Sequence, residues 1–397
     1  MESLIAQFME RYLSRQEIIH RLPVTVSIKQ FWPELEKERR SRAQELPLLD
    51  QDGNPFWFVL TGSIERQCNE IAALARRDIA FTGPEFDLLF EDAVVDEAVY
   101  SSMIEGAFTS REQAADFIRK NKQPRNKSEQ MVKNNYDALI YVLEHLDEEI
   151  TEDTIIQIAK LVTQSAAEVQ VSGYRGGAVY VTGREGVVYT PPGADAVPRM
   201  MRSLVDFIRN SELHPLLKAC VAHFYFVYVH PFGDGNGRTA RALSYMMLLK
   251  AGYDFFRYFS ISDIVAQERG KYYRSMKNVE DSSGDMTYFI EVYSGMLLRA
   301  VEQMEHHLKY HVLAGQKLKA LGEQGTLNER QLKGAKWLLE GGDSGVTVEV
   351  WRKKYKVATE TARRDLLALC DAGVLAREVE GRKAVFHVLR ELYIANG

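Results

Sequence analysis

The sequence predicts a mainly α protein: a helical core, interrupted by one small β-hairpin and followed by a smaller C-terminal module. Three observations predict it. Apolar residues recur at helical spacing over most of the first 313 positions. A single stretch, SGYRGGAVYVTGREGVVYTPPG, replaces that spacing with two β-branched and aromatic runs. Residues 328–397 change texture again, to three short helical patterns closed by two strand-like runs.

Taken in order, residues 4–20 place Ile5, Phe8, Met9, Tyr12 and Leu13 on one helical face. FWPELEKERRSRAQELP follows as a charged helix or surface segment, and LDQDGNPFWFVL carries a turn signal at Asp52-Gly53 with no alternating run to define a sheet. Helices are expected over Gly62–Arg76 and Glu91–Ile104, the latter stopped by Gly106, then over Ser128–Leu146 and Glu152–Thr163. The hairpin pairs Ala178–Thr182 with Val187–Thr190 across GREG and ends at Pro191-Pro192. Two strands alone are marginal in water, so the hairpin should lean on a neighbour. Helices return over Val197–Arg209, Pro215–His230 and Gly237–Lys250, and in DIVAQERGKYYRSMKNVE and DMTYFIEVYSGMLLRAVEQMEHHLKYHV, where Asp285 or Thr287 caps the start. GQKLKALGEQGTLNER reads as a connector. The expected division is an N-terminal helical region (1–88), a core (89–312), a linker (313–327) and a C-terminal domain (328–397).

Composition narrows the function. The hydrophobic fraction is 46 % and the charged fraction 26 %, ordinary for a globular protein, and the net charge of -5 gives no global basic field for nucleic acid or membrane. Three scattered cysteines, Cys68, Cys220 and Cys370, form no metal-ligand pattern and suit a reducing compartment. The N-terminus mixes charges among its apolar residues without a cleavage site, and the most apolar stretch, LLKACVAHFYFVYVH, is too short to span a bilayer. A cytoplasmic protein without a membrane partner is the expectation.

The chemistry concentrates in HPFGDGNGRTAR, residues 230–241. His230 ends an apolar helix, and Pro231 biases it away from helical dihedrals. Asp234 is a hard oxygen ligand suited to Mg²⁺. Gly233, Gly235 and Gly237 strip away side chains so that backbone N–H groups can approach an anion. Asn236 is a favoured cap for the helix that follows, whose positive end faces the same place. Arg238 and Arg241, at i and i+3, share one face from which both can fork onto phosphate. A tight turn alone would explain any one of these residues, but a polyphosphate site with a base and a metal-binding carboxylate explains all of them. No Walker loop is present.

This segment resembles the signature of the Fic family, His-x-Phe-x-acid-Gly-Asn-Gly-Arg-x-x-Arg, and matches it at every defined position. The resemblance covers roughly residues 90–300. It implies an all-helical core and transfer of AMP from ATP to a Tyr, Thr or Ser hydroxyl of a protein, which could be the enzyme itself. It implies that His230 is the general base and that Phe232 anchors the loop. Asp234 would hold Mg²⁺, Gly235, Asn236 and Gly237 would form the anion hole, and Arg238 and Arg241 would engage the β- and γ-phosphates. The hairpin would be a flap aligning the target by strand pairing, against the alternative of an ordinary surface hairpin. Tyr272 and Tyr273 lie where the family often places aromatics around adenine; packing in the core is the alternative. Homodimerisation is a further implication.

A second motif, SSMIEGAF, places Glu105 at the last turn of a helix, where the dipole disfavours negative charge. It resembles the family's inhibitory motif, in which the glutamate pairs with the second signature arginine, here Arg241. The alternatives are an exposed glutamate before a Gly cap, or a glutamate that also serves removal of AMP. Transfer of another nucleotide-derived group at the same site also stays open. So does a regulator whose nucleotide site is only a sensor.

The C-terminal segment resembles a winged helix-turn-helix, with Val348–Lys356 and Thr359–Asp371 as its paired helices and Val374–Val388 as the wing. Its basic residues, Lys353, Lys354, Lys356, Arg363, Arg364, Arg382 and Lys383, are interspersed with acidic ones. DNA binding and protein docking therefore both remain open.

Overall fold

The computed structural model describes residues 2–75, 84–167, 170–183, 186–340, 345–380 and 383–389. The chain forms two compact units, Met1–Val301 and Glu302–Gly397. The first opens with α1 (Glu2–Glu10), α2 (Arg15–Ile19) and α3 (Ile28–Ser41). Ser14 and Glu17 form a reciprocal capping box on α2. Phe8, Ile18, Phe31 and Leu35 make these helices a small core of their own.

A hairpin follows that the alternation rule did not reveal: β1 (Gln44–Leu49) pairs antiparallel with β2 (Pro55–Phe58) across the Asp52-Gly53 turn. Gly53 takes φ +87°, and Asp50 Oδ1 accepts from Asp52 N and Asn54 N. All of Phe56, Trp57 and Phe58 are buried: Phe56 packs on Phe224, Tyr225 and Tyr228, the Trp57 indole donates to Ser283 O beside the Arg40 guanidinium, and Trp57 N and O pair with Gly284 O and Met286 N along the strand's second edge. A strand covered on both faces loses its alternation.

The main helices are α4 (Gly62–Ala75), α5 (Pro84–Ile104), α6 (Arg111–Arg119), α7 (Lys127–Glu144) and α8 (Glu152–Thr163). The expected end of α4 at Arg76 lies outside the described residues. Next comes the hairpin of β3 (Val181–Gly183) and β4 (Gly186–Tyr189), shorter than expected, with Arg184 and Glu185 outside the described residues. Then come α9 (Val197–Asn210), α10 (Pro215–Val229), α11 (Asn236–Lys250), a 3₁₀ turn at Asp254–Tyr258, α12 (Ile261–Gln267), α13 (Arg269–Glu280) and α14 (Thr287–Glu323). α10 is apolar nearly all round and correspondingly buried, flanked by α9 and α11. α5 packs on α7 and α12, and α11 on α8. The site loop therefore sits between two of the most buried helices.

In the second unit, α15 (Glu329–Glu340), α16 (Val348–Tyr355) and α17 (Thr359–Asp371) stand with β5 (Val346–Thr347), β6 (Leu375–Glu380) and β7 (Lys383–Val388). The sheet is antiparallel in the order β5-β7-β6. Trp351, Leu366, Leu369 and Phe386 fill its core, and Asp365 accepts from Arg330, Gln331 and the Trp351 indole. Gly381 and Arg382, where the strand turn was expected, lie outside the described residues. The connector expected at 313–327 is instead helical through Glu323. Ala314 and Leu318 enter this core with Leu321 against it, a sparse stripe at i, i+4 and i+7 that the polar residues between them conceal. No described helix is long and apolar enough to cross a membrane.

Candidate active site

His230 terminates α10 in the left-handed region, at φ 50° and ψ 59°, rather than in the extended one that a following proline favours. Its N–H still donates to Phe226 O, at 3.0 Å. The reversal folds the imidazole back on the last turn, with Nδ1 3.2 Å from Val227 O. A proton on Nδ1 satisfies that carbonyl and leaves Nε2 an unprotonated acceptor. Burial lowers the His230 pKa, against opposing contributions from that carbonyl and from Glu105 and Asp234. Burial thus favours the neutral ring.

Phe232 is fully buried against Phe226 and Tyr174, as an anchor requires. Asn236 does not cap the helix. It is the first residue of α11, and its amide closes the loop on itself: Oδ1 accepts from Phe232 N at 2.9 Å, and Nδ2 donates to Phe232 O at 2.8 Å. Gly235 takes the cap position instead, at φ +80°, where a Cβ would also lie 2.7 Å from Thr163 Cγ2. Glycine is required there on both counts. α8 thus forms the floor of the loop.

Asp234 Oδ1 accepts from Gly235 N at 2.5 Å and lies 3.2 Å from Arg238 Nη2. The carboxylate is half exposed, and its Oδ2 is the oxygen left for a cation. Among the described residues no cluster of three or more His, Cys, Asp or Glu could hold a metal unaided. One carboxylate oxygen beside a phosphate cradle is nevertheless a fit for Mg²⁺, which needs few protein ligands when phosphate and water supply the rest.

The two signature arginines are both buried but differently held. Arg238 Nη1 donates to Val162 O at 2.7 Å, while its Nε has no partner among the described residues. Arg241 is gripped from α5: Nε donates to Ser101 Oγ and Nη2 to Ser101 O, each at 2.8 Å, and Nη2 meets Glu105 Oε1 at 2.9 Å. Burial opposes the Arg241 charge, but Glu105 and the neighbouring tyrosines hold its pKa above the ordinary value. Glu105 also touches the start of α11 so closely that a Cβ on Gly237 would collide with Oε1. Its carboxylate thus occupies the positive end of α11, which offsets its poor position on its own helix. Gly106, at φ +91°, ends α5 as expected.

Tyr272 takes the core alternative: fully buried, its hydroxyl 2.6 Å from His223 Nε2, it packs with Phe289 and Tyr293. Tyr273 is 41 % exposed, with the Arg269 guanidinium 5.5 Å from its ring centre. Two contributors escaped sequence reasoning. Ser101 opens the SSMIEG motif but carried no assigned partner. Arg175 makes a fan of bonds to carbonyls around His230 that a lone arginine among glycines in SGYRGG does not signal.

A histidine at a helix end, a glycine-opened loop and a helix N-terminus under two arginines make up the candidate site. Residues 149–248 match the Fic/DOC family, and the chain carries a Fic domain. Among curated relatives, "Protein adenylyltransferase Fic" of Nematostella vectensis is 32 % identical over 172 residues, 42 % of this chain and 37 % of that protein. Its namesake in Drosophila willistoni is 33 % identical over 145 residues, 36 % of this chain and 26 % of that protein. The chain thus spans about a third of these relatives' lengths. A Fic family protein from Desulfovibrio desulfuricans G20 shares the fold, with a TM-score of 0.55 at 20 % identity over 84 % of this chain and 97 % of that one.

Proposed function

We propose that this protein transfers AMP from ATP to a hydroxyl of a protein target, and that Glu105 holds the site in check. The transfer reading is supported by the loop geometry and by the names of the relatives. The check rests on one observation, the Glu105 carboxylate lying at once on Arg241 and on the start of α11.

In this reading His230 Nε2 takes the proton of the target hydroxyl as its oxygen bonds to the α-phosphorus and the bond to pyrophosphate breaks. The N–H groups at the start of α11 receive the phosphates, and Arg238, whose buried Nε has no partner among the described residues, adds positive charge beside them. Arg241 becomes a phosphate clamp once Glu105 leaves it. Asp234 would hold Mg²⁺, which supplies charge neutralisation on the polyphosphate. Val187 and Val188, more than half exposed on β4, offer a strand against which a target segment can align. The second unit we read as a winged helix-turn-helix, on its paired α16 and α17 and the β6–β7 strands.

Intact-mass measurement after incubation of the Glu105→Gly protein with Mg²⁺-ATP and candidate targets tests the activity. The expectation is a gain of one AMP on the enzyme or a target, absent when His230→Ala is added. No gain under any condition would leave a nucleotide sensor as the better reading.

A further inference from the structure

The last carbonyls of a helix have no partner within it. In α10 they carry His230, and they are not left to water. Arg175 Nε donates to His230 O at 2.8 Å, and Nη2 reaches Val229 O at 3.2 Å. The same Nη2 donates to Pro192 O at 2.5 Å, Nη1 to Gly177 O at 3.0 Å, and Arg175 N to Pro231 O at 2.9 Å. Tyr189, at the end of β4, adds a hydroxyl bond to Tyr228 O at 2.7 Å. Gly177 precedes the β3–β4 hairpin and Pro192 follows it. One guanidinium therefore joins both roots of the hairpin to the end of α10.

We infer that Arg175 is the positioning residue for His230, holding its left-handed backbone and coupling the hairpin to the imidazole. A non-glycine residue in that conformation is strained and persists only where its surroundings fix it. Only arginine offers several donors in one plane, and a positive group at a helix C-terminus also meets the favourable end of the dipole. Among the described residues the hydrogen-bond partners of its side chain are all backbone carbonyls, and burial lowers its pKa. Its task is thus geometry rather than neutralising an acid. Through the proposed chemistry, on which this role in turnover rests, a hairpin moved by a docked target would shift the base with it.

The test is ¹⁵N NMR of the histidine rings at one pH where they are neutral, the His230 signals being assigned by their loss in His230→Ala. Arg175→Ala and Arg175→Lys are compared with the parent protein, and kcat and KM for ATP are measured in the Glu105→Gly background. The parent should show His230 as a single Nδ1–H tautomer. Both variants should show mixed tautomers, with kcat down roughly 10²-fold, the scale of a 1 Å misplacement, and KM little changed. A His230 tautomer unchanged in Arg175→Lys, or a kcat fully kept by it, would overturn the inference. If Arg175→Ala does not fold, the lysine variant decides. If no form transfers AMP, the proposed function fails while the tautomer still reports on Arg175.

Discussion

Gly233 and Gly235 stand two residues apart in the same loop, yet the structure treats them oppositely. A Cβ on Gly233 meets nothing within 4 Å, whereas on Gly235 it faces Thr163 at 2.7 Å from a backbone at φ +80°. Gly233→Ala should therefore stay within about 0.5 kcal/mol of the parent. Gly235→Ala should be destabilised by roughly 1–3 kcal/mol, from the left-handed backbone and the contact together. Urea unfolding of the two variants checks this, and equal losses would contradict the placement of α8 beneath the loop. Asn236 makes a related point. Its side chain bonds both polar backbone groups of Phe232, so its amide, not merely its polarity, fixes the loop.

At the scale of elements, α5 brings Glu105 to the start of α11 because α7 holds it there. Ser102 Oγ bonds Ala98 O at 2.7 Å and Met131 O at 3.3 Å, and Asn135 Nδ2 donates to Ala98 O at 3.3 Å. Most of this framework was legible in the sequence, since α8, α9, α10 and α17 each declare themselves by spacing and by Pro, Gly or cap residues. What was not legible has physical causes. β2 lost its alternation by being covered twice, and the C-terminal part of α14 hid its stripe among lysines. α6, capped by Ser110, is only nine residues long. Within the site, the signature's residues are gathered in one loop and at the start of α11, as their adjacency in sequence requires. Ser101 and Arg175 act through chain segments distant in sequence, which no spacing rule reaches.

Across the first unit, the opening 60 residues are tied to the start of α14 by polar bonds rather than by apolar packing alone. Tyr12 Oη donates to Asp285 Oδ2 at 2.7 Å, Arg39 to Tyr288 Oη at 2.6 Å, and Val59 N to Thr287 Oγ1 at 2.8 Å. Burial raises the Asp285 pKa to about 6, against the lowering contributions of Thr287, Tyr12 and Arg39. A raised carboxylate pKa gives stability that is present below its unfolded value near 3.9 and lost as pH rises through 6. Asp285→Asn has no such loss, so its stability relative to the parent should improve by about 2 kcal/mol between pH 4 and pH 7. Chemical unfolding across that range checks the slope, and a constant difference would contradict it. The central claim is that one carboxylate occupies the place of a phosphate. Its most direct test is the initial rate of AMP transfer from labelled Mg²⁺-ATP by the parent and by Glu105→Gly under identical conditions. The account predicts a rise of roughly tenfold or more, equivalent to at least about 1.4 kcal/mol of barrier. Equal rates in the two proteins would contradict it.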